Sequence, residues 1–164
     1  MTTRPAYRVL PAVTAESAAF WTGGAEGELR IYRCHSCQHY FHPPVGVCFR
    51  CHSRDVAPEA VSGRATVATY TINVHPWFGD AFPTPYVIAI VELDEEPDTR
   101  LTTQIVDCPV EDVRIGMPVE VEFEHHDDVW IPVFRPASRG ERRLTSSPAW
   151  EAGDSSYTPR KASS

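Results

Sequence analysis

Four cysteines carry the most legible chemistry in this chain of 164 residues. Cys34-His35-Ser36-Cys37 and Cys48-Phe49-Arg50-Cys51 are two C-x2-C pairs, spaced so that two short hairpin tips can bring four thiolates onto one tetrahedral ion. That is the arrangement a structural zinc site requires. A zinc ion with four protein ligands has no open position for water or substrate, so Cys34, Cys37, Cys48 and Cys51 are expected to hold the fold together without performing chemistry. His35, His39, His42 and His52 lie in or near the same stretch. The thiolate set is complete without them, and they are read as surface groups or neighbours of the ligands. A disulfide framework is the other reading of these cysteines; Met1 leads into polar residues and no apolar run reaches the roughly 20 residues that span a bilayer, so a reduced, cytoplasmic protein is expected instead.

Catalytic cues are absent elsewhere. The chain has no G-x-S-x-G, no phosphate-binding glycine loop and no H-E-x-x-H. Cys108, ahead of Pro109 at a strand end, has no base nearby in sequence and reads as a buried, inert thiol. His125 and His126, flanked by Glu124, Asp127 and Asp128, read as an acidic surface hairpin in preference to a weak metal site. A noncatalytic protein is expected.

The cysteines need elements to position them. Thr14 can cap a short helix through Ala15, Glu16, Ala18, Ala19, Phe20 and Trp21, ended by Gly23 and Gly24. Phe20 and Trp21 must then pack on the ribbon or on another chain, because so short a helix does not stand alone. Glu28 to Arg33 alternates as a half-buried strand leading into the first pair, and residues 38 to 44 return as a second strand before Pro43, Pro44 and Gly46 turn the chain. From Arg64 onward the pattern is five strands separated by turn signals: 65–74, 86–93, 100–106, 117–123 and 129–134, with a helical turn over 109–113 between the third and fourth. That order fits a five-stranded OB-fold barrel better than a seven-stranded sandwich. The predicted fold class is mainly β, divided into an N-terminal segment (1–24), a rubredoxin-like zinc ribbon (25–63), a barrel (64–136) and a flexible or partner-docking tail (137–164).

Charge divides along the same lines. Residues 25–64 hold five Arg against four acidic residues, whereas residues 65–136 hold three Arg against fourteen, a balance of −11. Such a surface repels phosphate backbones, which weighs against a nucleic-acid module even though ribbons and OB folds occur in them. The clearest contact surface is 75–86, in which three prolines stiffen a connection bearing His75, Trp77, Phe78, Phe82 and Tyr86. So much apolar surface on a loop is expected to meet a partner or ligand, unless Trp77 or Phe82 plugs the end of its own barrel. In the serine-rich tail, Trp150 and Tyr157 are isolated aromatics able to anchor on a partner, with a solvated tail as the alternative.

Taken together, the helix with Phe20 and Trp21, the two cysteine pairs, Tyr86 to Leu93, Asp107-Cys108, Arg114 to Val119 and Phe134-Arg135-Pro136 resemble the acyl-CoA-associated family that joins a rubredoxin-like zinc ribbon to an OB fold, long known as a domain of unknown function. The resemblance covers residues 14 to 136. It implies an accessory zinc-binding subunit of a thiolase-superfamily enzyme (thiolase, acyltransferase or aldolase-like lyase, including those of steroid side-chain degradation), or else a partner of a hot-dog-fold enoyl-CoA hydratase. It further implies a hetero-oligomer with a CoA thioester at a shared site. An independent enzyme acting on CoA esters through Cys108 or His75 is the remaining rival.

Overall fold

A computed structural model describes residues 10–77 and 82–138. Three strands form the ribbon: β1 (Leu29–Cys34), β2 (Tyr40–Phe41) and β3 (Val56–Val61), in the antiparallel order β2-β1-β3. β1 runs in register with β3 from Leu29↔Val61 to Cys34↔Val56. Its alternation buries Leu29 and Ile31. The return strand expected over 38–44 is only two residues long, and the wide partner of β1 is β3, which the sequence reading did not mark.

The barrel is built from β4 (Arg64–Asn73), β5 (Tyr86–Leu93), β6 (Arg100–Ile105), β7 (Pro118–His126) and β8 (Val129–Pro136), closed in the order β4-β5-β6-β8-β7. Along β5, Val87, Ala89, Val91 and Leu93 point inward while the intervening side chains are half-buried, the period-2 pattern of a strand with one face on a core. A bulge between Val67 and Thr69 bends β4 around the barrel. A single 3-10 turn, Val110–Asp112, lies between β6 and β7 and is followed by the buried Val113. This is the expected five-stranded OB barrel. Closure is parallel and brief: β6 and β8 share the register point Ile105↔Phe134, supported by Val106 N–H donating to the Phe134 carbonyl at 2.8 Å and the Thr103 hydroxyl donating to the Pro132 carbonyl at 2.9 Å.

The N-terminal helix differs from its expected form. α1 spans Ala18–Thr22, preceded by a turn in which Thr14 Oγ1 accepts from Ser17 N–H and Ser17 Oγ accepts from Thr14 N–H. α1 stops at Thr22 with Gly23 as its C-cap, as expected, but Gly23 and Gly24 do not take the chain out of helical geometry. They continue as a 3-10 turn, Gly23–Glu26, and the chain leaves helical geometry at Gly27, where φ is +73°. The reason lies in packing: a Cβ on Gly24 would sit 2.4 Å from Trp130 Cβ and 2.6 Å from Phe123 Cδ1. Only glycine allows this backbone so close to β7 and β8.

Ribbon and barrel share one apolar core, because Phe20, Leu29 and Ile31 belong to the cluster that contains Val67, Val91, Leu101 and Phe134. A smaller cluster of Cys34, Phe41 and Cys48 lies under the knuckles. The β5–β6 connection clasps the ribbon: Glu95 Oε1 accepts from Ser62 N–H at 2.6 Å, and Glu96 Oε2 lies 3.2 Å from His39 Nδ1.

Candidate metal centre and docking face

The two knuckles are built alike. In each, the residue after the second cysteine adopts a left-handed backbone, Gln38 with φ 63° and His52 with φ 60°, and its N–H donates to the carbonyl of the first cysteine, at 2.7 Å for Cys34 and 2.8 Å for Cys48. This turns both cysteines of each pair toward the same point. Cys34 Sγ lies 3.5 Å from Cys51 Sγ and Cys37 Sγ lies 3.7 Å from Cys48 Sγ, with all four sulfurs within 4.8 Å of one another. A tetrahedral zinc with Zn–S bonds of about 2.3 Å separates its sulfurs by about 3.8 Å, so the residues fit the ion. Among the described residues these cysteines are the group whose ligand atoms gather in this way.

The thiols themselves call for a cation. Burial pushes the Cys34 thiol up, but the backbone N–H groups of Cys37 and Ser36 and the neighbouring thiols outweigh it and lower the group to about 6. At Cys51 the Ser53 N–H lowers the thiol, but the sulfurs of Cys34, Cys37 and Cys48, together with burial, push it up to about 12. One thiolate forms readily and a second beside it does not. A divalent cation held by all four removes that conflict and leaves no position for substrate.

The histidines divide into two kinds. His35 points away from the sulfurs, its Nδ1 3.1 Å from Asp55 and its Nε2 3.3 Å from Glu59, so it ties the first knuckle to β3. His52 is exposed. His39 and His42, expected at the surface or beside the ligands, both turn inward, and His39 lies beside a ligand, its carbonyl accepting from Cys34 N–H at 2.9 Å. His39 is only 5% exposed beneath Phe41 and Phe49, and the His42 ring packs 4.7 Å from Phe20, where burial lowers its pKa to about 4. Cys108 packs against the barrel core, and its thiol is raised by burial and by Asp112, which suits an inert group. His125 stacks on Trp130 and His126 Nε2 lies 3.5 Å from Glu124, within the acidic β7–β8 hairpin.

The candidate contact residues are distributed unequally. Phe20 is 6% exposed and packs into this chain's own core, edge-on to Trp21 at 4.7 Å. Phe20, Trp21 and His42 instead line a cleft of about 220 Å³ at the β6–β8 seam, with Thr103, Ile131 and Phe134 on its other side. Trp77 is 73% exposed, with His75 edge-on at 4.5 Å, and Val74 beside it is 72% exposed; Trp77 does not plug the barrel. Phe82 and Tyr86 contact each other edge-on at 4.6 Å. Phe78, Trp150 and Tyr157 lie outside the described residues. An exposed aromatic that the sequence reading passed over is Phe49, at the tip of the second knuckle. Its signal was its position between two zinc ligands, where the turn has no interior in which to hide a ring.

A four-cysteine ribbon fused to a closed five-stranded barrel defines a zinc-ribbon/OB-fold protein. Residues 21–57 match the family model described as "ChsH2, rubredoxin-like zinc ribbon domain" and residues 58–124 the one described as "ChsH2, C-terminal OB-fold domain". A DUF35 domain-containing scaffold protein of Methanothermobacter thermautotrophicus is 35% identical over 92 residues, which cover 56% of this chain and 68% of that protein. The chain belongs to the DUF35 family. It is also 37% identical over 133 residues to a probable enoyl-CoA hydratase alpha subunit of Thermomonospora curvata, covering 80% of this chain but only 41% of that longer protein. Among solved structures, a chain of the Ltp2-ChsH2(DUF35) aldolase is 35% identical with a TM-score of 0.70, matched over its whole length and over 79% of this chain.

Proposed function

We propose that this chain is a noncatalytic, zinc-binding subunit that docks on a thiolase-superfamily enzyme and helps to form its acyl-CoA site. The observation that carries this reading is the likeness to the DUF35 chain of an aldolase complex, which this chain matches over that chain's full length. The site supports it. Among the described residues the best-formed chemical centre is a closed thiolate cage, and Trp77 presents a ring that is 73% exposed. In this reading the ribbon (25–63) and barrel (64–136) act as one platform, with Trp77 and its neighbours His75, Phe82 and Tyr86 at the docking face and the chemistry left to the partner.

A second reading has its own observation. The likeness to a hydratase alpha subunit extends over 133 residues, 41% of that protein, and in this reading the partner is a hot-dog-fold hydratase. Co-expression of this chain with a thiolase-like subunit and, separately, with a hydratase subunit, followed by co-purification and acyl-CoA turnover, tests both. A complex whose turnover depends on this chain is expected with the first. A thiolase-like enzyme that is stable and fully active alone removes the leading reading.

A further inference from the structure

We infer that the tip of the second zinc knuckle is a protein-docking anchor, with Phe49 entering an apolar pocket of the partner and Arg50 and Arg54 pairing with carboxylates on its rim. The inference rests on the reading of this chain as a partner subunit, and names a second contact beyond Trp77. Eight arginines fall among the described residues, and six of them face a carboxylate of this same chain: Arg30 with Glu26 and Glu28, Arg33 with Glu59, Arg64 with Asp94, Arg100 with Glu92, Arg114 with Asp112 and Arg135 with Glu120. Arg50 and Arg54 have no such partner among the described residues, although the chain carries an acidic surplus. Asp55, the nearest carboxylate in sequence, is engaged by His35.

The two unpaired cations follow a presented ring closely in sequence: Arg50 is next to Phe49 within the Cys48–Cys51 turn, and Arg54 lies three residues past Cys51. Phe49 is 64% exposed, yet the inner edge of its ring is fixed by edge-on contacts with His39 at 5.1 Å and Phe41 at 5.6 Å. Cys48 and Cys51 hold the same turn from either side. A ring held at its inner edge on a metal-fixed turn loses little conformational freedom on docking, and aromatic and arginine side chains are the types that dominate interface energetics. The barrel's −11 balance opposes a nucleic acid, whose phosphates would meet that surface as soon as they approached the knuckle. An apolar pocket with a few carboxylates at its rim brings far less negative charge to that surface than a phosphate backbone does.

The test uses the full chain and, as probe, the purified Ltp2 subunit of the aldolase complex to which this chain is similar. Calorimetric titration is run on wild type, Phe49→Ala and the double reversal Arg50→Glu/Arg54→Glu, with zinc content and circular dichroism measured on each. Wild-type binding that weakens as salt rises, and falls about 30-fold or more in each variant at unchanged zinc content, is the expected result. Equal affinity in wild type and variants overturns the knuckle contact and leaves the partner reading standing. No wild-type complex overturns both. A self-association, or a single-stranded oligonucleotide complex, that disappears in the double reversal would reassign the surface and overturn the inference as well.

Discussion

The hydroxyl of Thr99, at the end of the β5–β6 connection, donates to the backbone carbonyl of Tyr40 in β2 at 2.9 Å, with Thr99 only 2% exposed. This bond crosses from barrel to ribbon at the backbone of a residue whose side chain packs against the shared apolar core. Replacing Thr99 by valine keeps the shape and leaves the Tyr40 carbonyl without its donor. A loss of about 1–2 kcal/mol in urea unfolding is expected, with zinc content unchanged. Loss of zinc in this variant would mean that the junction and the metal site are not separable.

Removing a ligand acts differently. Cys34→Ser and Cys51→Ser are expected to lose zinc and unfold the ribbon, because a module of that size has too small a core to replace the metal's contribution. Metal analysis beside near-ultraviolet circular dichroism reads both effects. Full zinc stoichiometry in either variant would contradict the assigned ligand set.

Phe20 and Trp77 separate folding from docking. Phe20→Ala opens a cavity in the shared core and is expected to cost about 3–5 kcal/mol. Trp77→Ala removes an exposed ring and is expected to leave the melting temperature within a degree or two while weakening the partner complex. Equal destabilisation by the two substitutions would place Trp77 in the core.

His42 gives a pH dependence whose direction is fixed by its burial. Its folded-state pKa is lowered to about 4, below the unfolded value of about 6.5, so the folded protein binds fewer protons between the two. The stabilisation is fully present above about pH 6.5 and is lost as pH falls toward 4, with a slope of up to about 1.4 kcal/mol per pH unit from this group. His42→Leu is expected to flatten that limb in denaturant titrations with zinc content followed in parallel. An unchanged acid limb would assign it to other groups.

The barrel was legible because its strands alternate. Tyr86 to Leu93 was bounded to the residue, and the other four strands to within three, since period-2 burial is written directly into Val, Ile, Thr and Leu positions. The ribbon was legible through its cysteines and less so through its strands. β3 carries Pro58 in the middle of Val56–Val61 and takes its place from pairing with β1, a long-range contact with no local signature. The α-helix stop was legible in Gly23 and Gly24, whereas the 3-10 turn that follows and the close approach of Gly24 to Trp130 and Phe123 have no local signature. The unpaired Arg50 and Arg54 could be recognised only once the other arginines among the described residues had partners.

The short seam between β6 and β8 gives the barrel a clasp in an otherwise continuous hoop. Parting it sacrifices one parallel rung, to which the Val106 amide bond belongs, and one hydroxyl contact, while the four antiparallel ladders keep their registers. Transient widening there is the least costly large motion open to the barrel, and it would enlarge the cleft beneath Phe20 and Trp21. The amide of Val106, whose bond crosses the seam, would then exchange with deuterium ahead of those of Val87 and Ala89, so the seam would be the first part of the hoop to admit solvent.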